Sequence, residues 1–240
     1  MLDCMWERMW GERDVNGDGR ADAADTAAWQ EAVGFLARSL RERHPRTIIT
    51  GNSGLPWSAA CPYFGYANGN MHENALGNEF GKPGWDVVWQ GCLTGLRTAQ
   101  ARPPLHMIVS DVQMNRSTAE AKRLTALTTD DLRRMRLGLG TTLLVDGAYF
   151  GFNRGDCLHG QLWWFDEYDT DLGNPVEPCR REAYEAGTFA RDFERGTVVV
   201  NPTGKEVKVG LARIARDVTA RATGRSFVVP AQDARILLWP

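Results

Sequence analysis

Asp3 and Glu73 are the carboxylates in this chain whose surroundings best suit paired acid and base work. Asp3 closes the short apolar run Met1-Leu2-Asp3. Glu73 lies in the polar, glycine-rich stretch Gly65-Tyr-Ala-Asn-Gly-Asn-Met-His-Glu73-Asn-Ala-Leu76, flanked by His72 and Asn74. Cleaving a glycosidic bond takes two carboxyl groups, one to protonate the leaving oxygen and one to attack the sugar or activate water. Such a site also needs polar side chains that grip hydroxyl groups. Asn52, Asp111 and Asp146 are candidates, because each ends an apolar run: Thr47 to Asn52, His106 to Asp111 and Thr141 to Asp146. An isolated acid is more often a helix cap or an ion-pair partner. Position at the ends of buried strands is what sets these residues apart, since reacting side chains of α/β barrels sit at the carboxyl ends of the strands.

Aromatic residues suit a neutral, hydroxyl-rich ligand. The chain has nine tryptophans, and Trp6, Trp163 and Trp164 are candidate sugar platforms. In Trp163-Trp164-Phe165-Asp166-Glu167-Tyr168-Asp169, aromatics and acids alternate as sugar subsites do, with Asp166 and Glu167 as possible hydroxyl ligands. The same segment reads equally well as a buried linker to a following domain. Other chemistries lack their residues. There is no G-x-S-x-G elbow, P-loop or dinucleotide fingerprint, and His44, His72, His106 and His159 are too scattered to suggest a metal triad. The five cysteines are widely spaced, with no C-x-x-C pair.

A second motif is sharper. Asp14, Asn16, Asp18, Arg20, Asp22 and Asp25 occupy positions 1, 3, 5, 7, 9 and 12 of a calcium-type loop, Arg20 through its carbonyl, with Gly19 at the sharp turn of position 6. Aspartate at position 12, where glutamate is usual, is a shorter arm. The expectation is a structural Ca2+ ion that stiffens the loop. The plainer reading is an Asp/Asn/Gly turn that caps the helix beginning near Thr26.

The elements that must position these residues alternate. Trp29, Val33, Leu36 and Leu40 give helical spacing over 26–43, ended by His44-Pro45. Further helices are expected at Trp85–Thr98, at about 118–127, and from Thr129 to Leu139, where Gly138 and Gly140 release the chain into a strand at 141–146. With strands at 1–3, 47–52, 66–71 and 106–111, the pattern over the first 150 residues predicts parallel β/α units. About five strands are countable, against the eight that close a barrel. The fold expected is α/β: residues 1–184 as the carboxy-terminal part of a (β/α)8 barrel, followed at 185–240 by a small antiparallel β domain. A missing amino-terminal barrel segment or a partner chain would complete it, and the chain alone is expected to be inactive or impaired.

Composition narrows the partners. With 28 basic and 30 acidic residues, the net charge of −2 offers no pull toward nucleic acid or an anionic membrane surface. Met1 to Arg8 has no export signal, and no window is apolar enough to span a bilayer. A carbohydrate is the expected partner, and the parent protein is expected outside the cell.

At Leu2-Asp3-Cys4-Met5-Trp6, Gly51-Asn52, Glu73-Asn74-Ala75-Leu76, Arg134 to Leu143 and Trp163 to Tyr168, the chain resembles hypothetical glycosyl hydrolase family 15. The likeness spans most of residues 1 to 180, and the order of the motifs carries it. The resemblance implies a (β/α) barrel acting on a polysaccharide, with Asp3 ending the fourth strand and Glu73 following the sixth. It further implies Asp3 as nucleophile or base and Glu73 as acid. A non-catalytic carbohydrate-binding protein and a calcium-dependent structural module are the competing readings.

Overall fold

The computed structural model describes residues 1–7, 9, 11–52, 61, 63, 65–73, 76, 84–98, 101–111, 127–153, 162–178 and 182–240. The helix expected near 118–127 falls almost wholly outside them, as do Asn74, His159, Cys157 and Cys179. The fold is mixed α/β, with a parallel four-stranded sheet and an antiparallel five-stranded sheet.

Helix α1 (Ala23–Arg43) starts where Asp22 accepts the Ala24 N–H and Asp25 reaches back to the Asp22 N–H, a reciprocal cap that stabilises by about 1 kcal/mol. It buries Val33 and Ala37 against Met5, Ile49, Tyr63 and Ala67. Strands β1 (Thr50–Asn52), β2 (Gly69–His72), β3 (His106–Asp111) and β4 (Ala148–Asn153) pair in chain order, all parallel. Leu2 adds a parallel bridge to Gly51 at the β1 edge.

Register and pleat decide which side chains share a face. Gly51, Asn70, His72, Ile108, Ser110, Phe150 and Phe152 form one face, the side of the sheet on which Gly138 of the third helix lies against Ser110 and Phe150. Asn52, Met71, Met107, Val109, Tyr149 and Gly151 form the other, where Tyr149 is exposed. Helix α2 (Trp85–Thr98) places Val88, Trp89, Cys92 and Leu93 in the main core with Ile108 and Met135.

Helix α3 (Thr129–Leu143) begins at Thr128 with a second reciprocal cap, through Asp131. It corrects the sequence reading. Residues 141–143 are helix and no strand occupies 141–146; the strand is Ala148–Asn153, after a turn at Gly147 with φ +68°. Burial explains the error. The Thr141 and Thr142 hydroxyls donate to the carbonyls of Leu137 and Gly138 one turn back, and Trp85 Nε1 donates to Thr141 Oγ1 at 2.8 Å, so an apparent strand run is a helix enclosed by protein. Gly138 and Gly140 do not release the chain. A Cβ at Gly138 would fall 2.3 Å from Ser110 Oγ, and one at Gly140 would fall 2.4 Å from Ala234 Cβ, so the two glycines let one helix pack closely on both sheets.

The antiparallel sheet has the order β5-β6-β9-β7-β8, with β5 Phe189–Phe193, β6 Gly196–Asn201, β7 Val207–Asp217, β8 Thr223–Val229 and β9 Asp233–Leu238. Val198 and Val200 join the main core, whereas Val199 points into a second core with Val209, Phe227 and Leu237. Arg136 on α3 grips Asp233 with two nitrogens, at 2.8 and 2.9 Å, and locks the helix to the start of β9. Among the described residues, no helix is long and apolar enough to cross a membrane.

Candidate active site

The carboxyl ends of three neighbouring segments build the site. Leu2 N–H donates to Thr50 O at 2.7 Å, Asn52 N–H to Leu2 O at 2.8 Å, and Met5 N–H to Asn52 O at 2.8 Å, so the first five residues run along β1. Asp3 therefore emerges beside Asn52, the last residue of β1, and Glu73 immediately follows β2 on the same face as Asn52 and Met71. The Asn52 amide nitrogen lies 3.0 Å from Asp3 Oδ1 and 3.0 Å from Glu73 Oε2. These two carboxylate oxygens can be no further apart than twice that distance. Asn52 is buried at 8% exposure, Glu73 is half-buried and Asp3 is open to solvent.

Cys4 completes the mouth. Its N–H donates to Asp3 Oδ1 at 2.9 Å, and its backbone is left-handed at φ +55°. Partial desolvation raises the thiol above its ordinary value, helped by the charge and hydrogen bond of Asp3 and by the charge of Glu73. Cys4 thus stays a neutral thiol at neutral pH and is no nucleophile in its own right.

The remaining sequence candidates fall in different places. Asp111 ends β3 opposite Asn153, the last residue of β4, on the same face as Asn52; of Asp111 only the backbone is described. Asn153 went unmarked in the sequence because its strand was expected seven residues earlier, although Ala148-Tyr-Phe-Gly-Phe-Asn153 is itself an apolar run with a polar end. Asp146 does not end a strand. It precedes β4, at the opposite end of the sheet from Asn52 and Glu73, and pairs with the buried guanidinium of Arg191. The Trp6 carbonyl accepts the Trp29 indole N–H at 3.0 Å, which ties the segment after Asp3 to α1.

The aromatic and acidic cluster lies on the other face. Phe165 packs edge-on to Phe152, and Tyr168 to Phe150, with Trp163 half-buried in the main core. Asp166 pairs with Arg221 at 2.9 Å and Glu167 accepts from Thr219 at 2.9 Å, both in the turn between β7 and β8. Trp164, 73% exposed, donates to Asp169 at 3.0 Å. Of the two readings of this segment, these contacts are those of a seam to the antiparallel sheet, and they do not bring Trp163, Trp164, Asp166 or Glu167 to Asp3 and Glu73.

In the 14–25 loop, Asp14 accepts the N–H groups of Gly17, Asp18 and Gly19, Asp18 that of Arg20, and Asp25 those of Val15 and Asn16. The Asp25 carboxyl is held below its usual range by the Asp22 N–H first, against some desolvation, and then by those of Asn16 and Val15. The oxygens are hard donors of the kind calcium takes, and each carboxylate keeps lone pairs beyond these bonds. Among the described residues, no three His, Cys, Asp or Glu side chains are gathered so as to hold a metal ion.

The site thus places Asp3, Asn52 and Glu73 together at the carboxyl ends of neighbouring parallel segments of an α/β protein. Residues 1–197 match the model of hypothetical glycosyl hydrolase family 15, and the chain belongs to that family. A solved structure described as a glycoside hydrolase is similar over 90% of this chain, at 11% identity and a TM-score of 0.40, and the chain spans 61% of that protein's length. No curated protein matches the chain.

Proposed function

We propose that this chain hydrolyses glycosidic bonds of a poly- or oligosaccharide, with Asp3 as nucleophile and Glu73 as acid and then base. The observation that carries this reading is the convergence of both carboxylates on the one amide of Asn52. Asp3 Oδ1 takes two N–H donors, from Cys4 and Asn52, which leaves Oδ2 to attack the anomeric carbon. Glu73 Oε2 takes the amide, which leaves Oε1 to carry the proton. Clamped oxygens no more than twice 3.0 Å apart are compatible with the close carboxyl spacing of double displacement, about 5–5.5 Å. Double displacement, with retained configuration, is the course proposed.

Four parallel strands paired in chain order, with Leu2 extending them, support one arc of a (β/α)8 barrel as the scaffold. Calcium belongs to this proposal as a structural ion that would draw together Asp14, Asn16, Asp18, the Arg20 carbonyl, Asp22 and Asp25 before α1, where Asp14, Asp18 and Asp25 now accept backbone N–H groups. A melting temperature that rises with added Ca2+ and not with Mg2+ would support it, and no shift at millimolar Ca2+ would remove it.

The function is tested by assaying the protein, Asp3→Asn and Glu73→Gln on a panel of polysaccharides and 4-nitrophenyl glycosides. Turnover by the unsubstituted chain, slowed as in an incomplete barrel, and its further loss by orders of magnitude in Asp3→Asn are expected. Product release unchanged in both variants would retire the assignment.

A further inference from the structure

Asn52 ends β1 as a side chain suited to gripping a sugar hydroxyl, yet its amide nitrogen is already engaged. That nitrogen has two N–H groups and stands 3.0 Å from an oxygen of each carboxylate. An amide oxygen turned to this point would face two carboxylate oxygens and be repelled, so chemistry fixes the nitrogen there. The residue is 8% exposed, and its backbone is held on both sides, by Leu2 O and by Met5 N–H. Side chains fixed in this way are preorganised for a task that needs geometry.

We infer that Asn52 is the positioning residue of the carboxylate pair: one amide group that sets their separation and stays hydrogen-bonded to the negative charge as that charge moves between them. This rests on the reading of Asp3 and Glu73 as the acting acids. In the first step an Asp3 oxygen bonds to the anomeric carbon, the bond to the leaving oxygen breaks, and the Glu73 proton passes to that oxygen. Asp3 becomes a neutral ester and Glu73 a carboxylate. In the second step Glu73 takes a proton from water, the water oxygen bonds to the anomeric carbon, and the ester bond breaks to return Asp3 to its carboxylate. One negative charge lies beside the Asn52 nitrogen before, between and after the two steps, at one end or the other. A donor placed between the two carboxylates serves both halves of the cycle without moving, which is preorganised electrostatic stabilisation.

Kinetics separate this role from that of a substrate ligand. Asn52→Ala should lower kcat about a hundredfold, the scale expected for misplacing reacting groups, with KM changed less than about threefold. Asn52→Asp, of equal size, replaces the shared donor by a third carboxylate and should be slower still. A raised KM with kcat held, or Asn52→Asp as active as Asn52→Ala, would overturn the inference. A second reading needs no turnover. In the 15N-labelled protein the two side-chain amide protons of Asn52 should each respond to a different variant, one to Asp3→Ala and the other to Glu73→Ala. Amide signals indifferent to either variant overturn the clamp even if the protein hydrolyses glycosides. Signals that respond in a chain without turnover uphold the clamp and sink the hydrolase reading alone.

Discussion

A general acid matters only as far as the leaving group needs a proton, and this gives Glu73 a signature distinct from that of Asp3. In kcat/KM, which reports the first step, Glu73→Gln should cost little on 4-nitrophenyl glycosides, whose leaving oxygen departs unprotonated, and about 10²–10⁴-fold on an alkyl glycoside or a polysaccharide, while kcat falls on both because the second step loses its base. An equal loss of kcat/KM on both substrate kinds would deny Glu73 the acid role. Strand ends were legible in the sequence for a physical reason: a buried parallel strand shows as an apolar run, and the polar residue at its end has nowhere to go but the rim. Asn52 and Asp111 follow that rule, with Asn153 as a missed instance, whereas the strand expected at 1–3 is a single bridge at Leu2, just before Asp3. The rule misled at Asp146, where the apolar run was helix. The aromatic cluster could not be placed from sequence, because the partners that draw Asp166 and Glu167 away, Arg221 and Thr219, lie 55 and 52 residues further along the chain.

Helix α3 is the element that both sheets share, and its glycines carry that duty. In an exposed helix Gly→Ala stabilises by about 1 kcal/mol. At Gly140 the sign should reverse, because the new methyl would meet Ala234 Cβ at 2.4 Å and Val200 Cγ2 at 3.0 Å. Gly140→Ala is expected to lower stability by about 1–3 kcal/mol in denaturant titration; a gain would mean that helix and sheet can part at little cost. The same burial hid α3 from the sequence. Thr-Thr-Leu-Leu-Val has the β-branched texture of a strand, and nothing local reveals that both threonine hydroxyls are satisfied by the preceding turn. The long amphipathic or well-capped stretches, Ala23–Arg43 and Trp85–Thr98, were legible almost to the residue.

At the scale of the whole molecule, the buried histidines between β2, β3 and α2 contribute to its response to acid. Burial pushes His72 down to about 3, with His106 adding a smaller effect, and pushes His106 down to about 4. Their rings stack, with His72 Nε2 and His106 Nδ1 3.5 Å apart and Cys92 Sγ 3.9 Å from His72 Nε2. In the unfolded chain these imidazoles take up protons as the pH falls below about 6.5, while the folded protein refuses them until about 4 and 3. Stability should therefore be level above pH 6.5 with respect to these groups and decline from there to about pH 3. His72→Leu should make the decline shallower in urea titrations run between pH 7 and 4; an unchanged slope would mean that this histidine is not excluded from protonation in the fold. The antiparallel sheet, joined to the parallel one through α3 and the Arg136–Asp233 pair, buttresses the sheet whose other face carries the carboxylates. What that arrangement is for comes down to one covalent bond. Incubation with 2-deoxy-2-fluoroglycosyl fluorides, followed by intact-mass and peptide mapping, should find one fluorosugar ester on Asp3 and none in Asp3→Asn; turnover without an adduct, or an ester on another carboxylate, would contradict the double displacement across Asn52.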